Sequence, residues 1–321
     1  MRYRQLGSSG LTVSVVGLGC NNIGRRLDSA ATRALVDAAL DAGITLFDTA
    51  DSYGSVRGEG ASERLLGNAL RGRRDDVVLA TKFGSDMAGA NGVDWGRRGA
   101  RRYVLRAVEA SLTRLGTDRI DLYQLHHPDA GTPLEETLTA LDDLVRAGKV
   151  LYVGSSNLAS WQVVDADWTA RTAGLTRFVS AQNSYSLLDR QAERELVPAL
   201  ERCRVGLLPY YPLANGLLTG KYRRGVAPPA GTRLHGREDE LTPAALDRVE
   251  ALTAYAQERG RSLLDVAIGG LAAQPAVASV IAGATSAEQV RANAAAGSWL
   301  PTSDDLAALD EVVPTPRRRE A

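Results

Sequence analysis

Short apolar runs alternate with amphipathic segments along almost the whole chain. The runs fall at 15–18, 44–47, 77–80, 120–125, 150–153, 178–181, 205–208 and 277–281, and each is short enough and apolar enough to be a strand buried on both faces. Between them the spacing turns helical. Over 101–115 Leu105, Val108, Leu112 and Leu115 recur at helical intervals before Gly116. After Thr132 and Pro133, which suit a helix start, Leu134, Leu138, Leu141 and Val145 form one stripe that Gly148 ends. Further helices are predicted at 29–42, 61–71, 160–173, 191–203, 262–273 and 286–296, with extra ones near 243–259 and 303–312. Strand then helix, repeated eight times, predicts an α/β chain closed as a (β/α)8 TIM barrel. The competing architecture is a doubly wound open sheet, which would want a glycine-rich phosphate turn after its first strand. Gly17-Leu18-Gly19 followed by Cys20-Asn21-Asn22 is not that fingerprint.

The ends of the chain add little to this frame. Residues 2–14, with Gly7-Ser8-Ser9-Gly10 at their centre, suit a hairpin ahead of the barrel, and 314–321 reads as a flexible tail. The whole of 1–321 is expected to be one domain. Two segments after strands are long, 84–100 and 220–242, as lids and binding loops often are, although a solvated excursion serves the first equally well. The second carries Lys221, Arg223, Arg224, Arg233 and Arg237 ahead of an acidic triplet. It reads either as cations held over a phosphate or as a solvated charge run.

The polar residue at each strand's carboxyl end changes the picture. In order these are Asp48, Lys82, His126, Ser156 with Asn157, Gln182 and Tyr210. Taken singly each has an ordinary explanation: Asp48 as a turn cap, Lys82 as a snorkelling cation, His126 as a satisfied core group. A barrel brings its strand ends to one mouth, so residues scattered along the sequence become neighbours there.

Composition narrows the chemistry. Lys plus Arg and Asp plus Glu are both 38, so no global field draws nucleic acid or an anionic membrane, and the expected partner is a small molecule. No apolar run approaches the roughly 20 residues of a membrane span, and Met1-Arg2-Tyr3-Arg4 does not lead into an export-type apolar segment, so the expected location is cytoplasmic. Oligomeric state leaves no signal. Adjacent His126 and His127 and the lone Cys20 and Cys203 do not make a zinc cage, and no Gly-x-Ser-x-Gly precedes a helix.

Asp48, Tyr53, Lys82 and His126 remain. Asp48 and Lys82 on successive strands, about 4.8 Å apart, can pair. One Lys charge roughly 4 Å from the Tyr53 phenol is worth about 4 kcal/mol at an effective dielectric near 20, which would bring a group that titrates near 10 toward neutrality as a proton donor. His126 would orient a carbonyl oxygen. These residues supply a proton but no reducing equivalent, which points to a nicotinamide cofactor. Ser156, Asn157 and Gln182 suit its amide, and Tyr210 a stacking face.

The constellation resembles the aldo-keto reductases over essentially the whole chain. The resemblance rests on Phe47-Asp48-Thr49-Ala50-Asp51-Ser52-Tyr53-Gly54, Thr81-Lys82-Phe83, Leu125-His126-His127-Pro128, Gly154-Ser155-Ser156-Asn157, Gln182-Asn183-Ser184-Tyr185, Tyr210-Tyr211-Pro212-Leu213-Ala214 and Ile281-Ala282-Gly283-Ala284. It implies Tyr53 as proton donor, Asp48 and Lys82 as its tuning pair, and His126 orienting an aldehyde or ketone. It further implies NADPH, with NADH admissible, extended across the barrel mouth. Gly19, Cys20 and Asn21 would lie beside the nicotinamide, and Tyr211, Pro212, Leu213, Ala214 and Gly216 along the pyrophosphate. Lys221, Arg233, Gly283, Thr285, Gln289 and Asn293 would surround the adenosine half. No metal is implied. Gly283 and Gln289 stand where many members carry Lys and Arg, and resemble the branch with the potassium-channel β subunits and bacterial glyceraldehyde-type reductases. His127 stands where many carry Trp. That branch leaves a second reading, a nucleotide-binding redox sensor or regulatory subunit with little turnover.

Overall fold

The computed structural model describes residues 1–54 and 60–315. Two short strands, β1 (Tyr3–Gln5) and β2 (Thr12–Ser14), pair antiparallel as the predicted hairpin. Eight parallel strands follow: β3 (Val16–Gly19), β4 (Leu46–Asp48), β5 (Val78–Phe83), β6 (Ile120–Leu125), β7 (Val150–Ser156), β8 (Ser180–Gln182), β9 (Gly206–Leu207) and β10 (Val280–Gly283). They lie side by side in sequence order, with β10 beside β3. The ring closes where Leu207 donates to Ala276 O at 2.7 Å and accepts from the amide of Ala278 at 2.9 Å. The sheet is therefore the (β/α)8 barrel that the alternation predicts.

The helices are α1 (Ser29–Asp41), α2 (Ala61–Ala69), α3 (Arg101–Leu115), α4 (Leu134–Arg146), α5 (Ser160–Ala173), α6 (Leu196–Cys203), α7 (Pro243–Glu258), α8 (Leu263–Asp265), α9 (Ala287–Ala296) and α10 (Ser303–Val312). Two depart from expectation. The predicted helix 191–203 is a single 3-10 turn, Gln191–Glu193, followed by α6. Pro198 is the reason: its ring and missing N–H confine it to the first turn, so the helix cannot reach further back. The predicted helix 262–273 opens as α8 and passes into a π-turn at Val266–Gly270. A Cβ on Gly269 would stand 3.0 Å from Trp299 Cβ and 3.1 Å from Ala296 O, so the widened turn lies directly against α9 and its connection to α10.

Strand alternation sorts side chains into two environments. Phe47, Tyr123 and Val153 point outward into the apolar layer between sheet and helices. Leu46, Ala80 and Leu122 point inward and join Leu208, Ala278 and the hairpin's Leu6 and Val13, so the hairpin plugs the amino-terminal end of the barrel. The next inward positions toward the carboxyl ends are Asp48, Lys82, Gln124, Ser156 and Gln182, all buried. One apolar layer and one polar layer thus fill the barrel. Residues 310–315 are tied back by Arg190, which bonds Val313 O at 2.6 Å and pairs with Glu193 and Asp310. The rest of the expected tail, 316–321, lies outside the described residues. No helix among the described residues is long and apolar enough to cross a membrane.

Candidate active site

The polar layer is organised about Asp48, at the end of β4. Its Oδ2 accepts from Lys82 Nζ at 2.7 Å, and its Oδ1 accepts from Gln182 Nε2 at 2.8 Å and from Gln124 Nε2 at 3.2 Å. Lys82 has no exposed surface; its ammonium also donates to Thr49 O at 2.9 Å and lies 3.3 Å from the Tyr53 hydroxyl. Burial works against that charge, but Asp48 and Tyr53 more than offset it, leaving Lys82 above its ordinary value and cationic.

Tyr53 sits on the turn after β4, held by Tyr53 N to Ala50 O at 3.2 Å and Ser62 N to Tyr53 O at 3.1 Å. Its phenol departs from expectation. Burial pushes it above its ordinary value; Lys82 pulls it down, and Asp48 pushes it back up. A bare ammonium would have lowered it, but this one is held at 2.7 Å by a carboxylate in a dry site, and desolvation wins.

His126 follows β6 with its ring edge-on to Tyr53, centroids 5.8 Å apart, and stacked nearly parallel on His127 at 4.6 Å. Ser85 Oγ lies 2.9 Å from His126 Nδ1. Burial, then the charges of Lys82 and His127, hold His126 well below the usual histidine range, so its ring is neutral at pH 7. A chain of bonds continues from it. Asn157 Nδ2 donates to His126 O at 3.0 Å and to Ser156 Oγ at 3.1 Å, Ser156 Oγ donates to Gln182 O at 2.9 Å, and Tyr210 OH donates to Asn157 Oδ1 at 2.7 Å. The expected amide shelf is therefore internally bonded, while the Gln182 side-chain oxygen accepts nothing among the described residues.

Asp48, Tyr53, His126, Ser156, Asn157, Gln182 and Tyr210 line a cleft of about 600 Å³. Its lining takes in Gly19, Cys20, Asn21, Tyr210, Tyr211, Pro212, Leu213, Gly216, Lys221, Arg233, Gly283, Thr285, Gln289 and Asn293, so nearly all the residues expected around a nucleotide meet there. Lys82 stands behind the wall, and Ala214 packs on a separate apolar cluster with Leu217, Leu218 and Trp299. Lys221 Nζ lies over the Tyr222 ring at 5.3 Å and the Arg233 guanidinium over Tyr211 at 5.1 Å. Thr285 N donates to Gln289 Oε1 at 2.8 Å. Arg224 is spent on Asp247 and Glu250, and Arg237 on Glu240, so those two cations of the long loop are not aimed at a ligand. The other long loop, 84–100, sends no residue into the lining.

Sequence reasoning missed four contributors. Gln124 had a signal, a polar residue at an inward position within an otherwise apolar strand. Ser85 had none, because its partner lies 41 positions away. Arg26 lines the cleft on the segment after β3, where Asn22 Nδ2 bonds Ala284 O at 3.2 Å and three successive amides, Arg25 to Leu27, bond Asn22 O. Asn215 also joins the wall, in a left-handed backbone conformation at φ 58°.

A cleft of this size and mixed lining suits an extended dinucleotide. The fit is supported at Gly283, where the nearest atoms a Cβ would meet are side-chain atoms of Asn21 and Asn22 at 3.6 and 3.8 Å and the Gly19 carbonyl at 3.9 Å, so nothing crowds the cleft there.

Comparison with known proteins agrees with this architecture. The profile of the Aldo/keto reductase family matches residues 15–314. The uncharacterized oxidoreductase YrpG of Bacillus subtilis (strain 168) is 38% identical over 320 residues, spanning 98% of this chain and 97% of that protein. The L-glyceraldehyde 3-phosphate reductase of Escherichia coli (strain K12) is 35% identical over 97% of this chain and 92% of its own. A probable voltage-gated potassium channel subunit beta of Oryza sativa subsp. japonica is 35% identical over 100% of this chain and 99% of its own. With the barrel, its polar mouth and a family profile running from β3 to the last described residues all in agreement, the chain belongs to the aldo/keto reductase family and is an oxidoreductase.

Proposed function

We propose that the protein reduces an aldehyde or ketone to its alcohol with NADPH, Tyr53 delivering the proton. The carrying observation is the buried cluster in which Lys82 Nζ lies 2.7 Å from Asp48 and 3.3 Å from the Tyr53 hydroxyl, with Asp48 and Tyr53 lining the cleft. When bound, the reduced nicotinamide supplies a hydride to the carbonyl carbon. The carbonyl oxygen takes the phenol proton, and carbon and oxygen together gain the two hydrogens of the alcohol.

The chain's own groups divide the remaining work. A phenol held above its ordinary value stays protonated at neutral pH, so the donor form is the resting form. As its proton leaves, the adjacent ammonium stabilises the phenolate, an interaction stronger in the transition state than before it. His126 is neutral; in the tautomer in which Ser85 donates to Nδ1, its Nε2 carries the hydrogen and can bond the carbonyl oxygen without competing as an acid. The free Gln182 oxygen suits the amide of the nicotinamide, and Lys221, Arg233 and Arg26 suit its phosphates. Glyceraldehyde and its 3-phosphate are the first substrates to try, given the name of the Escherichia coli relative.

The test is Tyr53→Phe, assayed for NADPH oxidation with glyceraldehyde and for NADPH binding. Turnover is expected to vanish with affinity unchanged; persisting turnover assigns the proton to another group. The channel-subunit relative favours a second reading, a nucleotide-binding sensor. Tight NADPH binding with no reduction across a panel of aldehydes and ketones selects it.

A further inference from the structure

The loop between β5 and α3 sends nothing into the cleft, yet it buries one amide beneath the turn that carries Tyr53. Asn91 is 4% exposed. Its Nδ2 donates to Asp51 Oδ2 at 2.9 Å, and its Oδ1 accepts from Arg114 Nη1, on α3, at 2.9 Å. Arg114 Nε in turn donates to Glu63 Oε2 at 2.6 Å, and Glu63 Oε1 accepts from Thr81 Oγ1 at 2.6 Å. Glu63, Asp51 and Thr81 have no exposed surface. The Arg114 side chain packs closely on Gly60, at φ +64°, where a Cβ would come within 2.4 Å of Arg114 Nε.

Both ends of this chain grip residues next to the reacting groups. Asp51 is two positions before Tyr53, and its amide bonds Lys82 O at 3.1 Å; Thr81 immediately precedes Lys82. We infer that Asn91, Arg114, Glu63 and Asp51 are positioning residues, a buried buttress that sets the Tyr53 phenol against the Lys82 ammonium and makes turnover depend on the loop over 84–100. The inference rests on Tyr53 being the proton donor. A buttress purely for stability would have no reason to run from one neighbour of the acid to the neighbour of its cation, whereas a positioning device must hold both. Burial and the charge of Glu63 hold Asp51 well above the usual carboxylate range; what Asn91 takes from it is an accepting oxygen, which an amide also supplies.

Asn91→Leu removes at similar volume all three of the amide's bonds, to Asp51, to the Tyr103 hydroxyl at 3.4 Å and from Arg114. It is expected to lower kcat about 10- to 100-fold, the scale of a misplacement of reacting groups, with KM and the Kd for NADPH within about twofold. In crystals of the nucleotide-free variant the Tyr53–Lys82 distance is expected to lengthen from 3.3 Å. Asp51→Leu should repeat the loss, and Asp51→Asn, which keeps an oxygen for Asn91 to bond, should rescue it to within about threefold of the parent. If Asn91→Leu does not fold, Asn91→Ala leaves space for a water to serve the stranded groups and is read the same way. A lowered Tm with kcat and the 3.3 Å contact intact, or equal activity of Asp51→Leu and Asp51→Asn, overturns the buttress. Persisting turnover of Tyr53→Phe overturns instead the acid on which it rests.

Discussion

The Lys82 ammonium, wholly buried, stands 2.7 Å from the Asp48 carboxylate, and the two charges are not equally supported. Asp48 keeps two amide donors, from Gln124 and Gln182, if Lys82 is removed. Lys82 without Asp48 keeps, among the described residues, only a carbonyl and a phenol, and its charge is left there without a counterion.

Asp48→Asn is therefore expected to destabilise the fold by about 3–5 kcal/mol, the usual effect of stranding a buried charge. Lys82→Met is expected to destabilise it by clearly less, while both lose turnover. Urea denaturation of the two variants checks the order, and equal losses would show that the glutamines do not support Asp48.

His126 makes stability fall in mild acid. The unfolded chain protonates this ring near 6.5, whereas the folded site holds it well below that value, and His127 is displaced the same way. Below pH 6.5 the unfolded state therefore binds the extra proton, so stability drops as pH falls toward the folded pKa. Comparing denaturation at pH 8 and pH 5, the parent should lose more stability than His126→Gln. Parallel slopes would mean that the ring is not held neutral.

Ser85 fixes one imidazole nitrogen at 2.9 Å. Ser85→Ala should lower kcat roughly 3- to 10-fold, about the worth of one hydrogen bond, and leave NADPH affinity unchanged. Steady-state kinetics beside calorimetric binding separate the two, and a loss confined to binding would place Ser85 elsewhere in the cycle.

Lys221, Arg233 and Arg26 line a cleft where Gly283 and Gln289 carry no charge. Lys221→Ala and Arg233→Ala should each weaken NADPH by about tenfold and NADH much less, the difference narrowing in high salt. Calorimetry is the suitable measure, since none of the four tryptophans lines the cleft. Equal losses for both nucleotides would assign these cations to the shared pyrophosphate instead.

Local periodicity by itself determined the alternation of strand and helix, the hairpin ahead of it and the row of polar residues at the strand ends. Those features follow from which face each residue takes, and a repeat of two or of 3.6 states that along a single dimension. Gln124 was legible by the same rule, as an inward polar position. Tertiary structure decided everything that depends on distance between residues remote in sequence. It brought Ser85 to His126 and Asn91 beneath Tyr53, spent Arg224 and Arg237 on carboxylates, and put a π-turn where Gly269 meets the segment around Trp299. It also reversed the sign expected for Tyr53, because desolvation and the Asp48–Lys82 contact act through burial and separation, and neither quantity is written in the order of the residues.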